Sequence, residues 1–314
     1  MRNNTIVNDE AIYQEGSLKK SIQKQRVKSF LTGITFLAPA LLLFGIFMFY
    51  PLLRTIYLSF FLTDHSGNPT IFVQLGNYLD LFRSELFLNS LRVTLIFVVM
   101  TVPATVSIGL LLAVLANEKL RGIGIFRTLF SSTMGISVAA GSIFWMFLFH
   151  PSIGWINQLL GVFGIEGIGW LIDPARALMS VSITTIWMNL GFTFLVLLGG
   201  LQSIPTYLYE SADIDGCGYF YKLRRITIPM LSPTLFFIIT VSFINSFQTF
   251  GQIDMLTQGG PVNSTNVIVY SIYREAFVNF QHGTASAQAV ILFLIILVLT
   301  VIQFKLSEKK VHYQ

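Results

Sequence analysis

Side chains able to react or to hydrogen-bond a solute are sparse in this 314-residue chain, and they fall into two groups of different character. The first lies inside an apolar run: Ser242, Asn245, Ser246, Thr249 and Gln252, with Gln248 beside them. Spacings of three and four place such residues on one face of a helix, where hydroxyls and carboxamides can exchange hydrogen bonds with a polar solute without carrying charge. Asn189, with Thr185 and Trp187, is a smaller set in the preceding apolar run. Unpaired polar groups are costly in hydrocarbon, so these faces are expected to line a solute path, the alternative being hydrogen bonds between helices. The second group is the segment YESADIDGCGYFYKLRRITIPMLSP, 209–233, which sets Glu210, Asp213 and Asp215 before Gly216, and Lys222, Arg224 and Arg225 after it.

Neither group is an enzyme site. The chain contains no G-x-x-x-x-G-K-[ST] phosphate loop, no H-E-x-x-H and no G-x-S-x-G, so no ATPase site, metal or cofactor is expected in it. The single Cys217 allows no internal disulfide, and His65 sits among turn formers (Asp64, Ser66, Gly67, Asn68, Pro69) rather than among ligands. No charged residue lies mid-run, which argues against a proton relay.

These groups need a scaffold, and composition says which kind. Hydrophobic residues make up 54% and charged residues 11%, with mean hydropathy +0.69, where a soluble domain carries roughly a quarter charged residues. Six runs are long enough to cross a bilayer as helices: 30–50, 93–116, 128–149, 177–201, 231–253 and 284–304. They are too long, and too uniformly apolar, for barrel strands. The expected class is an all-α membrane protein with six transmembrane helices in 29–305, between polar segments 1–28 and 306–314.

Lys and Arg crowd before the first run, at 119–127, at 222–225 and after 305, whereas the alternate loops carry only Arg54, Arg83, Arg92, Arg176 and Arg274. By the positive-inside rule both termini and the 209–233 segment are cytoplasmic. The net charge of +5 is thus a topology signal and not a nucleic-acid patch. A basic helix near 18–27 is expected to lie on anionic membrane lipid. The 150–176 stretch, rich in Gly and apolar residues, reads as short interfacial helices with Trp155 and Trp170 as anchors.

Within 205–230, Pro205 begins a helix through Glu210 and Ala212, which Gly216 ends, and a second short helix follows with Phe220, Leu223 and Ile226 on one face. Pro229 and Pro233 then start the next span. This helix-turn-helix resembles the cytoplasmic EAA loop of binding-protein-dependent ABC importer permeases: E-A-A, three residues, G, nine residues, I-x-L-P. Here the pattern reads Glu210, Ser211, Ala212, then Gly216, then Ile226, Thr227, Ile228, Pro229, with Ser211 and Ile228 departing from it. Asp215 immediately precedes the glycine. The stretches FLAPALLLFGIFMFYP (36–51), LTQGGPVNST (256–265) and YREAFVNFQHGTASAQA (273–289) are similar to carbohydrate permeases of the maltose and glycerol-phosphate type, and the ending at 303–314 is similar to glycerol-3-phosphate permeases.

The resemblance implies a permease subunit in the cytoplasmic membrane, importing a sugar, oligosaccharide or glycerol-3-phosphate. It implies a second homologous permease, an extracytoplasmic solute-binding protein and two ATP-binding subunits, which hold the ATP and Mg. It assigns coupling to the ATPase to Glu210, Ser211, Ala212, Asp215, Gly216, Ile226 and Pro229. The rival from composition alone is an ion-coupled secondary transporter, which would typically show intramembrane charges or broken, repeated helices.

Overall fold

The structure, a computed structural model, describes residues 24–26, 28–118 and 120–308. Most of the expected basic helix at 18–27, and the tail beyond 308, lie outside the described residues. The chain divides into two units, Met1–Tyr57 and Leu58–Gln314. The described residues of the first form one long helix, α1 (Lys24–Leu58), with a π turn at Gly45–Phe49 and exposed apolar side chains on every face, the pattern of a helix whose solvent is lipid.

The second unit opens with an antiparallel hairpin, β1 (Phe61–Thr63) and β2 (Pro69–Phe72), in a stretch read from sequence as loop. Its turn is organised by Asp64, which accepts from the Asn68 and Ser66 N–H groups at 2.8 and 3.0 Å; these bonds hold the carboxyl below its ordinary pKa, the Asn68 N–H contributing most. Helices α2 (Gly76–Arg83) and α3 (Glu85–Asn117) follow, Ser84 capping α3 by accepting from the Phe87 N–H. Further on come α4 (Ile123–Ser131), α5 (Val138–Leu148), α6 (Trp155–Val162), α7 (Ala177–Gln202), α8 (Thr206–Ile214), α9 (Tyr219–Lys222), α10 (Ser232–Phe247), α11 (Gly251–Leu256), α12 (Ile268–Tyr273) and α13 (His282–Glu308).

Four helices among the described residues are long and apolar enough to cross a membrane: α1, α3, α7 and α13. Two further expected spans are bent pairs. The run 128–149 is broken by 106° between Ile123–Gly135 and Val138–Leu148, where Ser137 turns extended and its hydroxyl accepts from the Ala140 N–H to start α5. The run 231–253 meets Tyr219–Met230 at 69°, and its helix stops at Phe247 before α11 resumes. Uniform hydropathy hides such breaks, because a short turn of the same apolar residues scores as helix.

The core lies between α3, α7 and α10. Phe194, Leu197 and Leu201 of α7 are buried with Val102, Val106 and Ala113 of α3 and with Ile238 of α10. Small residues permit the approach: a Cβ at Gly109 would lie 2.6 Å from Thr193 Cγ2, and one at Gly200 would lie 2.6 Å from Thr234 Oγ1. The 150–176 stretch folds into a cap that contains the short helix α6. Asn157 donates to Pro151 O (3.0 Å) and Ile168 O (2.9 Å) and accepts from the Ile168 N–H (3.1 Å) and Trp170 Nε1 (2.9 Å). Trp170 is therefore tied to Asn157 and half-buried, while Trp155 is exposed.

Candidate functional site

Halfway along both α3 and α7 the chain gathers hydroxyls and carboxamides into a cleft. It is lined by Thr101 and Thr105 from α3, Asn189 and Thr193 from α7, and Ser242, Asn245 and Ser246 from α10. The free volume is about 10 Å³, room for no more than one water, so the cleft is closed. Thr101 and Ser246 share a hydrogen bond between buried hydroxyls that draws α10 onto α3. Asn189 Nδ2 donates back to Thr185 O at 2.9 Å. Every lining polar group is neutral, so the cleft can hydrogen-bond a polar solute as donor and acceptor but offers no counter-ion.

The six residues read from sequence as path-lining do not stay together. Ser242, Asn245 and Asn189 line the cleft. Gln248 and Thr249 fall in the break after α10: Gln248 is exposed, and Thr249 is buried with Oγ1 donating to Asn245 O at 3.1 Å. Gln252 sits on α11, buried, its Nε2 reaching the Met188 thioether at 3.5 Å. The single stripe expected across 242–252 is thus interrupted, because side chains that hydrogen-bond nearby carbonyls compete with helix continuation. Thr101, Thr105 and Thr193 were missed. Isolated threonines in apolar runs give no periodic signal, and only packing brings three helices' hydroxyls to one level.

At the Asn117 end of α3 stands the second candidate, the 205–230 segment. Pro205 precedes α8, and Gly216 ends it with φ of 72°, the Cys217 N–H returning to Ala212 O at 2.9 Å. Across the turn, Lys222 Nζ lies 2.6 Å from Asp213 Oδ1, and the Tyr209 and buried Thr227 hydroxyls are 3.0 Å apart. Together these bonds tie the two arms at their base. Glu210, Ser211 and Asp215 are exposed on the first arm, Ala212 is buried beneath it, and Ile226 and Pro229 are half-buried on the second. Phe220 is 81% exposed, whereas Leu223 and Ile226, in the π turn Leu223–Thr227, are half-buried. With Ile214, Tyr219 and Tyr221 it forms an exposed apolar tip.

Residues 75–313 match the family described as binding-protein-dependent transport system inner membrane component. The chain belongs to this family. Among curated relatives, the sn-glycerol-3-phosphate transport system permease protein UgpA of Agrobacterium fabrum is 37% identical over 279 residues, covering 88% of this chain and 94% of the relative. The protein of the same name from Brucella abortus is 37% identical over 280 residues, with the same coverage. A solved bacterial alginate ABC transporter, in complex with alginate pentasaccharide-bound periplasmic protein, contains a chain that superimposes with a TM-score of 0.80 at 22% identity, covering 91% of this chain and 96% of that one. The last likeness shows a shared fold. Membership makes the chain an inner-membrane component of a binding-protein-dependent transport system.

Proposed function

We propose that the chain is one of two permeases of an ABC importer for a sugar or glycerol-3-phosphate, crossing the membrane six times with both bent pairs counted as spans and both termini cytoplasmic. The observation that carries this reading is the 205–230 segment: an exposed tip on two tied arms, set directly before α10, whose far end lines the polar cleft. A force applied at the tip reaches the cleft through a bent but continuous path. The tip docks an ATP-binding subunit, Glu210 supplying an exposed charge that sets geometry at the contact. Closure of two such subunits moves α10 and breaks the Thr101–Ser246 bond, which opens the cleft to one side, a shift between two states set by differential contacts. The names of the relatives support the solute class, and the periplasmic protein bound in the alginate complex supports a solute-binding partner. Docking to the ATP-binding subunit engages the coupling residues Glu210, Ser211, Ala212, Asp215, Gly216, Ile226 and Pro229.

The test is co-purification. Phe220→Asp places a charge on the exposed tip without touching the core and is expected to release the ATP-binding subunit from the membrane complex, with this chain still inserted. Retention of that subunit by Phe220→Asp and Glu210→Lys alike would refute the docking assignment.

A further inference from the structure

The end of α3 beside the 205–230 segment is held by a side chain from α4. The last carbonyls of a helix have no partner within it, and the buried Ala116 of α3 offers such a carbonyl to one guanidinium: Arg127 donates to it from Nε at 3.0 Å and from Nη2 at 2.8 Å. Positive charge is favoured at that end of a helix. Three residues further along α4, Phe130 meets the buried ring of Phe194 of α7 edge-on at 5.5 Å. Beyond α4, Thr133 Oγ1 accepts from the Gly191 N–H of α7 at 2.9 Å. A Cβ on Gly191 would lie 2.6 Å from that hydroxyl and 2.8 Å from Met134 N, so glycine is what admits the contact. Asn189 of the cleft is two residues away.

Helix α4 thus runs from the far end of α3 to the level of the cleft, fastened to both helices on the way. Capping alone does not call for this arrangement. The turn at 120–122 beside the cap is exposed, so water or a lysine could satisfy the Ala116 carbonyl. A planar guanidinium that sets two N–H groups on one oxygen also fixes the direction in which α4 leaves α3. On the other side of the same helix end, Asn117 and Glu118 border a cavity of about 420 Å³ whose opposite wall is formed by Asp213, Lys222 and Thr227 of the two arms. The arms therefore have room to close onto the end of α3.

We propose that α4 is a strut that carries movement of the 205–230 arms to the cleft by a route separate from α10, with Arg127 and Thr133 as the positioning residues at its two ends. Arms closing on Asn117 and Glu118 displace the end of α3, and Arg127 passes that displacement to α4. Thr133 delivers it to the α7 backbone at Gly191, beside Asn189. Coupling between distant sites is carried by such rigid elements and the hydrogen bonds at their ends. Neither residue touches solute. The strut rests on the importer reading and adds to it a second path into the same cleft.

The experiment uses vesicles holding the whole transporter, with its ATP-binding subunits and solute-binding protein. Uptake of radiolabelled sn-glycerol 3-phosphate and of radiolabelled maltose, offered separately, is measured together with ATP hydrolysis, both per amount of this chain. Arg127→Gln and Thr133→Val are each expected to lower the maximal uptake rate about threefold or more with KM within about twofold, while ATP hydrolysed per solute imported rises by a similar factor. Arg127→Lys, which keeps the charge and a donor, is expected to recover part of the loss. The double variant Arg127→Gln with Thr133→Val is expected to fall no further than the weaker single variant, because both cut one path. Unchanged uptake and unchanged ATP per solute in both single variants overturn the strut, as do losses that multiply in the double variant. A smaller amount of chain in the membrane with normal uptake per chain also overturns it, leaving Arg127 as a cap for the fold alone. In each of these cases wild-type uptake keeps the importer reading standing; ATP-driven entry of neither solute with the wild-type chain removes that reading and the strut together.

Discussion

Replacing Gly216 separates backbone strain from steric contact at the tip of the loop. Its φ of 72° is left-handed, yet a Cβ built there meets nothing within 4 Å. Gly216→Val is therefore not a clash but a conformational penalty, about 1–2 kcal/mol for an L-residue held left-handed. If the side chain instead relaxes to negative φ, the turn loses its Gly216 N–H to Asp213 O and Cys217 N–H to Ala212 O bonds, and the Asp213–Lys222 pair is pulled out of register. Either route depletes the docking-ready loop by a factor of about 5–30. Asn tolerates the left-handed region, so Gly216→Asn is expected to keep most of the uptake that Gly216→Val loses. The assay is initial uptake rate in cells with the complete transporter, normalised to the amount of this chain in the membrane. Equal loss in Asn and Val variants would mean that the partner contacts the glycine itself, and wild-type uptake in the Val variant would mean that the turn is not used.

Two further outcomes follow from the cleft and the cap. Asn245→Leu removes a lining carboxamide and is expected to change solute affinity or rate at least about threefold more than Gln248→Leu, because Gln248 stands in the break and does not line the cleft; equal effects in kinetic uptake assays would contradict the cleft as drawn. Asn157→Leu strips four hydrogen bonds from the cap and leaves the half-buried Ile168 N–H and Trp170 Nε1 without their acceptor, a loss of about 1 kcal/mol per group. Faster proteolytic cleavage within 150–170 in membranes is the expected signature, and an unaltered cleavage rate would show that the cap does not depend on Asn157.

Much of this was legible in the residues. A run of 20 or more apolar residues has no stable home outside lipid, so hydropathy alone locates α1, α3, α7 and α13. The spacing from Glu210 to Pro229 locates the loop, because Pro and Gly restrict backbone dihedrals locally: Gly216 is left-handed and α8 starts after Pro205. Local and compositional constraints are written at the positions that obey them.

What the tertiary structure alone decided is where those elements bend and which side chains meet. The 106° break inside the run 128–149 leaves no mark in its hydropathy, and the hairpin at 61–72 forms against Gly283, where a Cβ would lie 2.1 Å from Phe61 O. The closed cleft joins Thr101 to Ser246, 145 residues apart, and no periodicity within either helix reports the other. Threonines scattered through apolar runs look like tolerated polar residues until three helices set them at one depth. The physical reason is the same throughout: backbone preference acts over a few residues, whereas a path for solute is made by packing across the whole bundle.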